Sequence, residues 1–309
     1  MTELSIGAFA VLFLLDWRNQ VKRSFLVTYA IIYLFLTGLT YLFQQNYSTP
    51  ALLNTFTLLD KAWTGYLPLP LLLFLLLMLP YTIFLWLDKK AGVDGKATEQ
   101  TGTSRLRLLR LISGSLTLLA GLVTLFVLGM IYRPLASSGL AGVFIVGSFF
   151  AGALALGGVM TAMWLGHWYL VTPALSEKPL QFATTLVLLG VLAQVIFAFT
   201  GTPNTPAHSQ GNTATPTVTA TTAVSPATPT SNPQAKPANV PTITPLSTDA
   251  ISWLRIVVAF VIPLILLAII LKLIRDRSFQ SATGMLYLVV VLTLAGEAMA
   301  RGLFLIGLQ

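Results

Sequence analysis

Cysteine is absent from all 309 residues of the chain, and charged residues make up only 9% of it. Without cysteine the chain can hold no disulfide, no thiolate-ligated iron–sulfur cluster and no cysteine-type zinc site. A soluble domain typically contains about 25% charged residues, so a deficit spread over the whole length indicates that lipid is the main solvent. Histidine is scarce too, with His167 and His208 as the two examples. A haem held by both is disfavoured, because His208 lies in a segment with the composition of a linker, whereas haem ligation through His167 stays open.

Several sequence patterns that mark common functions are missing as well. The chain has no Walker A sequence, no glycine-rich dinucleotide fingerprint, no HExxH and no Ser/His/Asp set suited to nucleophilic catalysis. Its last hydrophobic run has no lysine for a retinal Schiff base, and no run carries the ladder of basic residues typical of a voltage sensor. A primary pump, a protease and a photoreceptor are therefore poor fits.

Hydrophobic runs, in contrast, are abundant: 55% of the residues are hydrophobic and the mean hydropathy is +0.81. A membrane-spanning helix needs about 20 largely apolar residues. Eight runs are candidates, the first of them short: Leu4–Trp17, Ser24–Phe43, Tyr66–Leu87, Leu108–Tyr132, Leu140–Val171, Phe182–Phe199, Ile251–Leu273 and Ala282–Leu308. No positively charged segment precedes the first run, so we expect it to be retained rather than cleaved as a signal peptide. The predicted fold class is all-α, a polytopic transmembrane helical bundle of about eight spanning helices.

Basic residues are concentrated on one side of these predicted helices. The loops after the first, third, fifth and seventh runs, counted with the adjoining ends of the runs, hold three, six, one and three of them, which is 13 of the 18 in the chain. The positive-inside rule then places both termini outside the cytoplasm. The same loops account for the net charge of +8, so the lipid bilayer rather than nucleic acid is the predicted partner. We expect the protein to be integral to a cell membrane, a prokaryotic plasma membrane.

One segment, 200–249, differs in kind from the rest of the chain. It is rich in Pro, Thr, Ala and Asn, with one acidic residue and one lysine. Such a segment cannot bury enough apolar surface to offset the entropy of ordering it. It is interpreted as a disordered extracytoplasmic linker between a bundle of six helices (1–199) and a pair of helices (250–309).

The eighth predicted helix carries the first candidate site. Glu297 and Arg301 are four residues apart, so they share a helix face and can pair. Ionisable residues within a span are costly and are functional candidates. One interpretation is a structural ion pair. The other is a polar cavity in the outer half of the bundle, where the Glu297 carboxylate takes a proton from a bound substrate.

The end of the fifth predicted helix carries the second candidate site, made of Trp164, His167, Trp168 and Tyr169. Tryptophan and tyrosine are typical of the aromatic belt at headgroup depth, which is one interpretation. The other is a pocket for a quinone or the edge of a haem, in which His167 bonds a carbonyl group and the aromatic residues stack on a ring. Because this site belongs at the inner face and Glu297 in the outer half, we do not expect one compact site to use both.

Two further features receive structural interpretations. Gly158, Ala162 and Gly166 recur every fourth residue of the fifth predicted helix, with Gly152 before them, and small residues at this spacing let helices approach closely. Asp16, at the inner end of the first predicted helix, is expected at the membrane interface.

The segment Gly296–Phe304, with its Gly-Glu, Ala-Arg and Phe, resembles the pattern that closes the membrane-anchor subunits of polysulfide reductase and dimethyl sulfoxide reductase. Eight helices with both termini outside are similar to the dimethyl sulfoxide reductase anchor. The resemblance implies a subunit that binds quinol and passes electrons to an extracytoplasmic iron–sulfur subunit, which serves a molybdopterin enzyme. Two features depart from the family pattern: the long linker, and a third predicted helix with no carboxylate before Asp88.

Three functional hypotheses follow. The first is a quinone-interacting electron-transfer subunit that uses Glu297 and Arg301, which leaves open whether the chain itself counts as an enzyme. The second is a transporter or ion-translocating protein, although the inverted repeats common in transporters are not recognisable. The third is a non-catalytic membrane scaffold that binds a partner through the linker or through the basic segment 88–110.

Overall fold

The structure of the protein is a computed structural model, and it describes residues 1–92, 105–136, 139–172, 175–200 and 253–306. Within these ranges the regular elements are helical: α1 (Thr2–Arg18), α2 (Arg23–Tyr47), α3 (Pro50–Leu53), α4 (Lys61–Thr64), α5 (Pro68–Leu87), α6 (Arg105–Tyr132), α7 (Gly139–Val171), α8 (Lys178–Thr200), α9 (Ile262–Arg275) and α10 (Phe279–Ile306). A turn of π-helix, Ile256–Val261, leads directly into α9. The predicted linker lies outside the described residues, apart from Thr200 at the end of α8.

Seven segments of the described chain are long and apolar enough to cross a membrane: Arg23–Tyr47, Lys61–Leu87, Arg105–Leu135, Gly139–Val171, Lys178–Ala198, Trp253–Arg275 and Phe279–Gly302. They coincide with the second to eighth predicted runs, so the prediction of an all-helical membrane protein is confirmed at that level. The first predicted run is α1. With 17 residues it is about 25 Å long at 1.5 Å per residue, and it is not among the seven.

The short helix α1 lies in the interior of the bundle. Ile6, Phe9, Leu12 and Leu15 on its different faces are all fully buried, as expected for a helix that is apolar all round. It packs backbone to backbone on α7, because neither helix has a side chain at the crossing. A Cβ atom on Gly7 would lie 1.7 Å from the carbonyl oxygen of Ala153, and one on Gly157 would lie 2.0 Å from the amide nitrogen of Ala8.

The two ends of α1 are each joined to distant helices by buried charges. Near its start, Glu3 pairs with Arg301 near the end of α10. At its other end, Asp16 pairs with Arg110 near the start of α6, and Arg110 also pairs with Asp88, the residue after α5. The beginning of α1 and the end of α10 therefore lie at one end of the bundle, and the connection between α5 and α6 lies at the opposite end.

Asp16 is buried inside the bundle, and its expected depth at the membrane interface stays a prediction. Its residue surface is 1% exposed, because the guanidinium of Arg110 reaches it from a neighbouring helix and makes burial of the carboxylate tolerable. Its neighbours Trp17 and Arg18 are exposed.

The last predicted spans are shaped by proline. Pro263 is at the first turn of α9, directly after the π-helical turn. Proline has no N–H to donate, so the preceding turn cannot keep the regular α-helical pattern. Ala259, in this π-helical turn, packs against α10. A Cβ atom on Gly296 would lie 2.4 Å from the Ala259 Cβ.

Candidate functional site

Four polar side chains from three helices meet at the end of the bundle where α1 begins. We call them the Glu3 cluster: Glu3 of α1, Gln194 of α8, and Glu297 and Arg301 of α10. The Arg301 guanidinium pairs with the Glu3 carboxylate, with Nε 3.3 Å from Oε2. Its Nη2 lies 3.5 Å from Glu297 Oε2, and the Gln194 side-chain amide donates to Glu297 Oε1. The sequence prediction that Glu297 and Arg301 can pair thus corresponds to a pair in the structure.

Sequence reasoning missed Glu3 as a member of this site. Glu3 is 298 positions from Arg301, and no periodicity connects residues that far apart. The available signal was a single acidic residue at the head of an apolar run, which also has the ordinary interpretation of a charge near a helix N-terminus. Its burial, with 8% of the residue exposed, is decided by the bundle around it.

Gly152 of α7 provides the space in which the carboxylates converge. A Cβ atom at this position would lie 2.9 Å from Glu297 Oε1, 3.0 Å from Glu3 Oε1 and 3.3 Å from Gln194 Nε2. The two carboxylates therefore approach the same point on α7. Like charges this close repel each other, and Arg301 between them offsets that repulsion.

A second guanidinium belongs to the electrostatic surroundings of the cluster. Arg255, before the π-helical turn, is close enough for its charge to act on Glu297, and its Nε is buried without a hydrogen-bond partner in the described part of the chain. Arg301 itself lies over the ring of Phe149, 3.9 Å from the ring centroid, in a cation–π contact. Arg255 thus adds a second positive charge to the surroundings of Glu297.

A cavity of about 280 Å³ opens beside the cluster. Its wall includes the charged groups of Glu3 and Arg301, the rings of Tyr132 and Phe149, and three leucines from α6 and the segment between α2 and α5. Glu297 is not part of that wall and lies behind Arg301. The cavity is near the lower limit for ligand pockets, about 300 Å³, and its lining combines charged, polar, aromatic and apolar residues.

The two tryptophans of the second candidate site pack against α2. The Trp164 ring centroid lies 5.4 Å from that of Tyr29, and the Trp168 centroid lies 5.9 Å from that of Phe25. Both side chains are half-buried. They are i and i+4 on α7, so they share one face, and that face is the contact between α7 and α2.

His167 and Tyr169 point elsewhere. The His167 side chain is exposed on the outside of the bundle. Tyr169 is buried, its hydroxyl donates to the backbone carbonyl of Ser176, and its ring centroid lies 4.8 Å from that of Phe279. The structure therefore does not bring the four residues of this candidate site together in one pocket, and it places them at the end of α7 remote from the Glu3 cluster.

Comparisons of the chain with models of protein families, with curated proteins and with solved structures found no match. In the described ranges no group of three or more His, Asp or Glu side chains is arranged to hold a metal ion. Function is therefore inferred from the geometry of the Glu3 cluster and its cavity.

Proposed function

We propose that the chain is an integral membrane subunit that binds quinol beside the Glu3 cluster and passes its electrons to an extracytoplasmic iron–sulfur subunit serving a molybdopterin enzyme. The observation that supports this most is the cavity at the bundle end, whose lining combines an acidic residue and an arginine with two aromatic residues and three leucines. A quinol has the matching chemistry, because its ring carries two hydroxyl groups and its tail is apolar.

The described residues fit the chemistry of a quinol head. The Glu3 carboxylate is an acceptor for a hydroxyl proton, and the Arg301 guanidinium, which only donates, suits the oxygen of the oxidised quinone. Tyr132 and Phe149 offer ring surfaces on the cavity wall. Oxidation of one quinol yields a quinone, two protons and two electrons. With no cysteine in this chain, a partner subunit must supply the iron–sulfur cluster that takes the electrons.

Glu3 and Glu297 have different roles in this proposal. Glu3 lines the cavity and accepts the first proton as a general base, for which hydrogen-bonding reach to the proton is the first requirement. Glu297 is not among the residues that line the cavity, and its carboxylate meets that of Glu3 beside Gly152. It keeps Arg301 and Gln194 in place and is the next carboxylate to which a proton can move.

The proposal includes eight spans with both termini outside the cytoplasm. In support, the buried charged groups near the two ends of α1 bind residues at opposite ends of the bundle, so this helix runs from one end to the other. The positive-inside rule, applied to the loops, then gives the orientation. Under this orientation the cavity faces the extracytoplasmic partner.

Quinone binding to the purified protein tests the proposal. We expect quinone in the organic extract of protein purified in mild detergent, and saturable quenching of its tryptophan fluorescence by added quinone. Glu3→Gln should weaken quinol binding about 10- to 100-fold, since a hydrogen bond to a charged group contributes about 1.5–3 kcal/mol. The matched control is Glu177→Gln, at an exposed acid on the opposite end of the bundle, which should bind as the wild type does.

Glu297→Gln separates the two carboxylates. Because Glu297 is not on the cavity wall, we expect this variant to keep quinol binding within a few-fold of the wild type and to reduce quinol turnover in the complete complex. Folded protein that neither retains quinone nor shows saturable quenching would contradict the proposed function.

An ion-translocating protein is the second candidate. It is favoured by the buried charged groups at both ends of α1, since intramembrane ionisable residues also mark ion pathways. Uptake of ions into proteoliposomes that does not respond to quinol would favour it over the quinol site.

A further inference from the structure

A second buried cluster of ionisable groups lies at the opposite end of α1 from the cavity. We call it the Asp16 cluster: Asp16 of α1, Tyr81 of α5, Asp88 after α5, and Arg110 of α6. Arg110 Nε lies 3.1 Å from Asp16 Oδ2, and Arg110 Nη1 lies 2.9 Å from Asp88 Oδ2. The Tyr81 hydroxyl donates to Asp16 Oδ2 over 3.2 Å. The side chains of the three charged residues are at most 3% exposed.

The two carboxylates of this cluster share one guanidinium, that of Arg110. Two further cations lie near these carboxylates. The Arg23 guanidinium of α2 donates to the Asp88 backbone carbonyl. Arg107, one turn before Arg110 on α6, acts on Asp16 but is only half-buried, so solvent weakens its effect. An ionised Asp16 would therefore be an incompletely compensated charge inside the bundle.

Hydrogen bonding separates the two carboxylates more clearly. Both oxygens of Asp88 have partners, because Oδ1 accepts from the backbone N–H of Lys90 and Oδ2 accepts from Arg110. Asp16 has both of its partners on Oδ2. Its Oδ1 is buried, and no residue that the structure describes donates to it. A buried anionic oxygen without a donor is costly, and protonation lowers that cost because it removes the negative charge.

We propose that Asp16 is a proton-binding site of the folded protein, which takes up one proton on Oδ1. Oδ2 of the neutral carboxyl remains the acceptor for Tyr81 and stays beside the Arg110 guanidinium. A metal cation is a poor alternative ligand, because the guanidinium of Arg110 lies against both carboxylates and would repel it. The site is about 20 Å from Glu3, at 1.5 Å per residue along α1, and it does not depend on the proposed function.

Infrared spectroscopy of the full-length protein in lipid nanodiscs tests this site. As the pH is lowered we expect a carboxylic-acid C=O stretching band that is missing in Asp16→Asn. Tyr81→Phe should keep the band and move it to higher frequency, because the C=O oxygen loses a hydrogen bond while the charges stay the same. Glu297→Gln, at the other end of the bundle, is the control and should leave this band in place.

Stability provides the second measurement. At a pH where the band is present, Asp16→Asn replaces one neutral group by another, so its melting temperature should fall less than that of Asp88→Asn, which disrupts a carboxylate bonded through both oxygens to Lys90 N–H and Arg110. A spectrum in which Asp16→Asn removes no carboxylic-acid band would overturn the proposal, and so would the reverse order of stabilities. If Asp16→Asn yields no folded protein, Tyr81→Phe decides: an unshifted spectrum would overturn the proposal.

Discussion

At the scale of single residues, the Glu3 cluster combines a local pair with a distant partner. Glu297 and Arg301 are one helical turn apart, and that spacing alone predicts that they can meet. Glu3 and Gln194 reach the same point from α1 and α8, and Gly152 leaves room for them. Arg301 is the centre of the cluster because its guanidinium contacts both carboxylates.

Removing that guanidinium should destabilise the fold. Arg301→Gln leaves Glu3 and Glu297 close together without their shared cation, and breaking a buried pair in this way costs about 3–5 kcal/mol. Because the Arg301 side chain is 25% exposed, we expect a loss near the lower value, about 3 kcal/mol, in the free energy of unfolding. Reversible unfolding in detergent micelles measures it.

The surface offers a control for this experiment. Arg277→Gln removes an exposed pair with Glu177, and exposed pairs contribute little, so no measurable change is expected. Adding Glu297→Gln to Arg301→Gln should restore part of the lost stability. If Arg301→Gln and the wild type had the same free energy of unfolding, the ion pairs of the Glu3 cluster would make no net contribution to stability.

At the scale of elements, α1 is the helix whose role changes most between sequence and structure. It was the shortest of the predicted membrane-spanning runs, and the helix has 17 residues. In the structure it lies inside the bundle and packs against α7. Gly7 and Gly157 allow this, because their backbones touch the opposite helix. The small-residue spacing predicted in α7 does mark close packing, but Gly158 and Gly166 face side chains of α8 and α10.

The crossing of α1 and α7 should tolerate no added carbon. Gly157→Ala places Cβ 2.0 Å from the Ala8 amide nitrogen, and backbone atoms cannot rotate away as a side chain can. We expect the free energy of unfolding to fall by more than about 2 kcal/mol, within the range of overpacked cores. Thermal unfolding followed by circular dichroism measures the change.

Gly284→Ala is the matched control for this crossing. Gly284 lies in α10 with nothing within 4 Å of its Cβ position. Alanine is favoured over glycine inside a helix by about 0.5–1 kcal/mol, so this variant should be as stable as the wild type or slightly more stable. If Gly157→Ala were equally harmless, the close approach of α1 to α7 would be wrong.

At the scale of the whole molecule, the buried charges divide the bundle into two chemically different ends. The end that contains the start of α1 has the cavity, and the opposite end has the Asp16 cluster and the connection from α5 to α6. The start of α1 and the last turns of α10 lie together beside the cavity. Which end faces the cytoplasm follows from the loop charges and stays a prediction.

Single cysteines introduced into this cysteine-free chain test the orientation. Thr55 is exposed between α3 and α4 at the cavity end, and Lys89 is exposed after α5 at the opposite end. A membrane-impermeant maleimide added to intact cells should label Thr55→Cys and leave Lys89→Cys unlabelled until the cells are opened. Labelling of Lys89→Cys alone in intact cells would reverse the orientation and place the cavity in the cytoplasm.

Composition and periodicity alone determined that this is a helical membrane protein, where seven of its long helices lie, and that Glu297 can pair with Arg301. These properties depend on neighbours within about 30 residues and on transfer of side chains from water to lipid, both of which are visible in a linear chain.

Only the tertiary structure decided that Glu3 joins that pair, that Asp16 is buried against Arg110, and that His167 points away from Trp164 and Trp168. Each of these depends on which helices are neighbours and how closely they approach. In this protein two glycines at the crossing of α1 and α7 bring the helices into backbone contact, and no local pattern in either helix specifies the other as its partner.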